Sequence, residues 1–170
     1  MTERTLMHIT PLPADHTPER ARELLLPFLL QCINWSHSSP ELDASVIEAD
    51  DQLAAYIDGW GRDGDIAVIA WDDDQQPVGA AWCRLLSDPP GYGWVADDIP
   101  EVSIAVAPDA QGKGAGRQLL HTLCRLAAVS GHPALSLSVS DGNMSKHLCT
   151  QLGFSDIGRS GDSDVMLKQL

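Results

Sequence analysis

A chain of 170 residues with 44% hydrophobic and 21% charged positions is long enough to bury one good core and reads as a single domain. Its net charge of −13 argues against nucleic acid and anionic membrane as partners, because both repel an acidic surface. The excess is uneven: residues 1–100 carry 5 Lys/Arg against 18 Asp/Glu, and residues 101–170 carry 6 against 6. That division suits a cationic substrate on the first part, although a solubility surface explains it as well. The polar start Met1-Thr-Glu-Arg-Thr predicts no signal peptide. The longest apolar run, Leu24 to Ile33, is interrupted by Pro27 and Gln31 and is too short to span a bilayer, so the expected location is cytoplasmic. Four scattered cysteines with no Cys-x-x-Cys pair read as reduced thiols, and no His/Cys spacing suits a metal.

In chain order, Leu6 to Ile9 is a short strand ended by Pro11 and Pro13. Thr17-Pro18 marks a helix start, with Leu24, Leu25, Phe28, Leu29 and Cys32 on its buried face and a bend expected at Pro27. Val46, Ile47, Leu53, Ala54, Ile57 and Trp60 recur at helical spacing and predict a second helix that Gly61 ends. Two β-rich runs follow, Asp65 to Trp71 and Pro77 to Leu86, joined by Asp72-Asp73-Asp74-Gln75-Gln76, which reads as a solvated turn rather than a metal site. The loop from Ser87 to Pro100 holds Tyr92 and Trp94, and a long loop bearing aromatics is often functional.

Strand Val102 to Ala107 then leads through a glycine-rich turn into a helix that runs to about Val129, with Leu119, Leu120, Leu123, Cys124 and Ala127 as its apolar stripe. Ala134 to Ser140 is a strand, Asn143 to Leu152 a short helix, and Ser155 to Arg159 and Asp164 to Lys168 are terminal strands. The order β-α-α-β-β-β-α-β-α-β-β describes an α/β fold with a mixed sheet and helices on its faces.

The turn Gln111-Gly112-Lys113-Gly114-Ala115-Gly116-Arg117 carries the chemistry. Glycines that tolerate φ > 0 allow close backbone approach to a bulky anion, and the following helix aims its unpaired N–H groups at the same point. A dinucleotide fold needs Gly-x-Gly-x-x-Gly near the start of the unit, and a Walker loop needs Gly-x-x-x-x-Gly-Lys-Ser/Thr. Neither spacing is present.

Gln111-x-x-Gly114-x-Gly116 resembles the acetyl-coenzyme A signature of the GCN5-related N-acetyltransferase superfamily. The likeness extends to the preceding strand with its closing Pro108 and to the later helix from Asn143 that ends in Leu152-Gly153-Phe154, and the order of elements matches over nearly the whole chain. The resemblance implies an acetyl-coenzyme A-dependent N-acetyltransferase without a metal, residues 1–100 facing mainly the acceptor and residues 101–170 mainly the cofactor. It implies that Ile104, Ala105 and Val106 bind the pantetheine arm and acetyl carbonyl, that the backbone from Gly112 to Arg117 holds the pyrophosphate with help from Lys113 and Arg117, and that Asn143 bonds the cofactor. Cations at a helix N-terminus oppose its dipole, so Lys113 and Arg117 make more sense beside a bound anion.

Transfer to an amine requires a base, and Glu101, seven residues before Pro108 where many relatives carry a glutamate, is the candidate. Many relatives have a Tyr acid four residues before the Gly-Phe glycine; this chain has Cys149 there, a stand-in acid or a buried small residue. Trp35, Tyr92 and Trp94 are the candidate acceptor-binding residues, with His37 nearby, whereas Trp60 reads as core. The expected acceptor is a small-molecule or peptide amine, cationic given Asp97, Asp98 and Glu101, and the protein a monomer or homodimer. A non-catalytic coenzyme A-binding module is the competing reading.

Overall fold

The computed structural model describes residues 7–12, 17–36 and 41–170. Seven strands form one sheet, in the order β1-β2-β3-β4-β5-β7-β6. They are β1 (His8–Pro11), β2 (Ile66–Trp71), β3 (Pro77–Arg84), β4 (Glu101–Val106), β5 (Ala134–Ser140), β6 (Ser155–Ser160) and β7 (Ser163–Gln169). The helices are α1 (Pro18–Ile33), α2 (Ala44–Ala49), α3 (Asp51–Ala54), α4 (Ala115–Val129) and α5 (Ser145–Gln151). The order expected from the sequence holds, with one helix divided in two. Pro11 closes β1 rather than following it, which an edge strand tolerates; Leu6, Pro13 and His37 lie outside the described residues.

The division of the second helix has a local cause. Asp43 accepts from Ser45 N–H at 3.0 Å and starts α2; Asp50, extended at φ −124° and ψ 105°, accepts from Gln52 N–H at 2.9 Å and starts α3. Two capping aspartates seven residues apart each satisfy a set of helix-end donors, and this beats continuation of one helix. The apolar stripe is nonetheless buried: Ile47, Leu53, Ile57 and Trp60 all lie in the core. α1 starts as read, with Thr17 Oγ1 accepting from Arg20 N–H at 3.1 Å and Pro18 at the first turn, and it continues through Pro27 to Ile33.

Strand alternation divides the apolar side chains between two cores. Val68, Cys83, Val102, Leu135 and Leu137 pack with α4 and α5 on one face. Ile69, Ala80, Trp82 and Ala105 pack with α1, α2 and α3 on the other. β4 and β5 are the parallel pair, and they are bridged only at Glu101↔Ser136. Beyond that point they diverge, leaving an open edge on β4.

Candidate active site

Glu101 begins β4 at the point where the two strands part, and it is 4% exposed. Alternation turns it toward α1–α3 with Ser103 and Ala105, the face opposite Val102. Its Oε2 accepts from the hydroxyl of Tyr56, and its Oε1 accepts from Gly93 N–H at 2.8 Å. Burial pushes the carboxyl up to about 7, against the opposing pull of the Tyr56 hydroxyl and the Gly93 amide. Burial, and then the neighbouring carboxylate, push the Tyr56 phenol up, so it stays a protonated donor. A carboxyl that titrates near neutrality is suited to taking protons at physiological pH.

Tyr56 carries this arrangement, and the sequence conceals it because it lies within an apolar stripe. Its side chain is 6% exposed. The turn that holds it is anchored by its backbone: Trp82 Nε1 donates to Tyr56 O at 2.9 Å, and Arg84 donates to Ala55 O at 2.9 Å, Asp58 O at 2.7 Å and Gly59 O at 3.3 Å. Arg84 also pairs with Asp65 through both carboxylate oxygens, at 2.9 and 3.0 Å, and lies 5.1 Å from the Trp60 ring centroid. Trp60 is core, as read. Although Arg84 is the cross-strand neighbour of Glu101, its charge is committed to Asp65.

The loop before β4 closes over the carboxylate. Tyr92 stacks on Tyr56 with centroids 6.5 Å apart, Tyr92 N–H donates to the Tyr56 hydroxyl at 2.9 Å, and Gln52 Nε2 donates to Pro90 O at 2.8 Å. A Cβ at Gly91 would collide with Glu101 Oε1, and one at Gly93 would lie 2.7 Å from the Leu137 carbonyl carbon, so only glycine allows the loop this close. Tyr92 and Trp94 remain 43% and 42% exposed at the loop surface. Trp35 lies elsewhere: its ring faces Gly142, beside Asn143 at the turn between β5 and α5.

Replacing Tyr56 by phenylalanine removes the stronger of the two hydrogen bonds that favour the Glu101 anion. The Tyr56→Phe variant is expected to move the acid limb of the pH–rate profile upward by about one unit while keeping the fold, as a kcat-against-pH series would read.

At the other end of β4, Gly112 and Gly114 adopt φ of +80° and +83°, with no atom within 4 Å of a built Cβ. Gly114 caps α4 without any side-chain hydrogen bond, so no capping side chain satisfies the amides of its first turn, and residues 111–114 just before it are exposed. Gly116 is different from what the turn reading expected. It sits inside α4, where a Cβ would approach the end of the Leu148 side chain on α5 to 3.2 Å, so glycine gives the two helices their close packing here. Lys113 is exposed beside the turn, whereas Arg117 donates from Nη2 to Gln151 Oε1 on α5. Gln111 reaches back to Val106 O at 3.0 Å, and Gln31 and Cys32 of α1 donate to Val106 O and, at 3.3 Å, to Ile104 O. These contacts mark the β4 carbonyls that β5 leaves unpaired. Asn143 uses its Oδ1 to accept from Ser145 N–H at 2.9 Å, which leaves its amide nitrogen as the donor. An uncapped helix start, two left-handed glycines and an open strand edge suit a long ligand that ends in a diphosphate.

Cys149 is 1% exposed within the core that packs Leu119, Leu123 and Phe154, and burial pushes its thiol up to about 11. A thiol held that high is a poor donor to a departing thiolate of ordinary basicity. None of the helices among the described residues is long and apolar enough to cross a membrane.

The sequence matches the family model described as the acetyltransferase (GNAT) family over residues 20–154. Among curated proteins there is no match. Solved structures share the fold: an acetyltransferase of the GNAT family from Staphylococcus aureus Mu50 aligns with a TM-score of 0.70 at 14% identity, covering 97% of this chain and 99% of that one. A GCN5-related N-acetyltransferase from Kribbella flavida aligns at 0.67 and 20% identity, covering 96% and 98%.

Proposed function

Because the chain belongs to the acetyltransferase (GNAT) family and is an N-acetyltransferase that uses acyl-coenzyme A and an amine, we propose that it acetylates a primary amine arriving as a cation, by direct transfer with Glu101 as base. The observation that carries this reading is the Glu101 carboxyl: buried, titrating near neutrality, and set where β4 and β5 part. In this proposal the amides from Gly112 to Arg117, with Lys113, hold the diphosphate of acetyl-coenzyme A. The open edge at Ile104, Ala105 and Val106 takes the pantetheine arm, and the Asn143 amide contributes a further bond. Arg117, engaged with Gln151, supports α5 or swings to the anion when it binds.

Glu101 takes one proton from the acceptor ammonium, and the neutral nitrogen attacks the thioester carbonyl. The carbon–nitrogen bond forms, the carbon–sulfur bond breaks, and one of the two protons left on nitrogen leaves with the thiolate as free thiol while the other stays in the amide. This path needs no separate acid and leaves Cys149 as core. Cys149→Ala is expected to keep kcat within about two-fold and to cost about 1 kcal/mol of stability, read by thermal or denaturant unfolding; a loss of a hundred-fold in kcat would return Cys149 to the proton path.

The acceptor entrance is the loop surface of Tyr92 and Trp94, with the exposed Asp97 and Asp98 beside them and Asp50 close enough to push the Tyr92 phenol up after burial does. Aromatic faces and carboxylates together attract ammonium groups. A panel of cationic, neutral and anionic amines, scored by release of free thiol from acetyl-coenzyme A and by mass spectrometry of the product, tests the proposal. Turnover confined to cationic amines is the expected result. Preference for anionic amines would overturn the acceptor class, and absence of thiol release with every amine would overturn the acetyl-transfer reading.

A further inference from the structure

Glu101 is 4% exposed and is closed in on the Gly91 side, so a substrate nitrogen has little direct access to it in this arrangement. Both carboxylate oxygens already accept a hydrogen bond, and the backbone at Gly91 leaves no room for even a methyl group against Oε1. Each oxygen keeps a further lone-pair site with which to accept from a water.

Beside it lies an unexplained group. Ser136 is the register partner of Glu101 across the β4–β5 bridge, with its backbone N–H bonded to Pro100 O at 3.0 Å. Leu135 and Leu137 enter the α4 core, so Ser136 faces the opposite side, the side of Glu101 and Ser103, one strand spacing away. Its side chain is fully buried, and among the described residues its Oγ is the one buried side-chain polar atom without a protein partner. A buried hydroxyl without a partner is destabilising, whereas alanine would fill the place at no such cost. The backbone of Gly93, which bonds Glu101, also lies against Leu137 and Ser138, so the same loop reaches the strand that carries Ser136.

We propose that the Ser136 hydroxyl holds the water through which Glu101 takes the acceptor's proton, which makes Ser136 a positioning residue on β5. The ammonium gives a proton to this water as the water gives one of its own to the carboxylate. The acceptor becomes a neutral amine, Glu101 becomes a carboxylic acid, and water and hydroxyl end unchanged. Ser136 orients the water by hydrogen bonding, and the carboxylate and hydroxyl supply the partners a buried water requires. The inference rests on the acetyl-transfer reading and adds how a buried base serves an acceptor it does not touch.

Ser136→Ala tests it. With an alkylammonium acceptor, kcat is expected to fall about ten-fold while KM for acetyl-coenzyme A and the melting temperature hold, and Ser136→Thr should restore part of the rate. With an arylamine, neutral at the assay pH, Ser136→Ala should match the wild type, because no proton has to be removed before attack. A purely structural serine would lower both rates equally or neither. Equal rates for Ser136→Ala and wild type with the alkylammonium would overturn the role of Ser136 alone; no turnover by the wild type with any amine would overturn the acetyl-transfer reading as well. A high-resolution crystal structure should show an ordered water bonded to Ser136 Oγ and to the Glu101 network, and a dry hydroxyl would overturn the proposal whatever the kinetics.

Discussion

Glu101→Gln is expected to lower kcat at pH 7 by about 10²–10⁴-fold, leave KM for acetyl-coenzyme A nearly unchanged, and make the fold more stable above that pH. The carboxyl titrates at about 7 in the fold against an ordinary value of 4.5, and burial is the main cause. Between those values the folded chain holds a proton that the unfolded chain has released. The contribution of this one group is therefore most favourable below about pH 4.5, declines as pH rises, and carries the full cost of the buried charge above about pH 7. The difference is on the order of 3 kcal/mol, and a neutral glutamine avoids most of it, its one carbonyl oxygen accepting from Gly93 N–H while its amide nitrogen donates to the Tyr56 oxygen in place of the present acceptor. Unfolding curves at pH 5 and pH 8 should separate wild type from variant only at the higher pH. A variant as active as wild type, or one equally destabilised at both pH values, would show that the glutamate is structural.

Arg84→Ala is expected to cost about 3–5 kcal/mol, enough to unfold a marginal domain or leave little soluble protein. Its side chain and that of Asp65 are 1% and 2% exposed, so removing the guanidinium strands a buried carboxylate. It also strips hydrogen bonds from the carbonyls of Ala55, Asp58 and Gly59 at the turn that carries Tyr56. Arg84→Lys should recover only part of the loss, because an ammonium cannot reproduce a fork that serves two carboxylate oxygens and three carbonyls. Denaturant unfolding of the two variants measures this directly. If the lysine variant folds, its pH–rate profile should resemble that of Tyr56→Phe, since both loosen the hold on Glu101.

The strands and helices were legible wherever a local rule is strong. Thr17-Pro18 started α1, the glycine turn preceded α4, and Ala134 to Ser140 is a strand as read. The miss at the second helix came from two aspartates whose side chains compete with the backbone, a signal present at Asp43 and Asp50 but outweighed by the apolar stripe. In the site, Glu101 and the Gly112–Gly114 turn stood out because strand ends and glycine spacing are written in neighbouring residues. Tyr56 did not stand out: its partner is 45 positions away, and its tyrosine looked like one more stripe residue. Arg117 was placed by its sequence neighbours, yet its long side chain reaches Gln151, 34 positions on.

By itself the sequence determined the type and order of most elements, their apolar faces and the family signature at Gln111 to Gly116, because propensity, periodicity and turn chemistry act over a few residues. Only the tertiary structure decided the properties on which the chemistry depends. The near-neutral Glu101 carboxyl, the buried Cys149 thiol and the unpaired Ser136 hydroxyl are each set by desolvation, which is a sum over everything packed around a group and is written in no single stretch of chain.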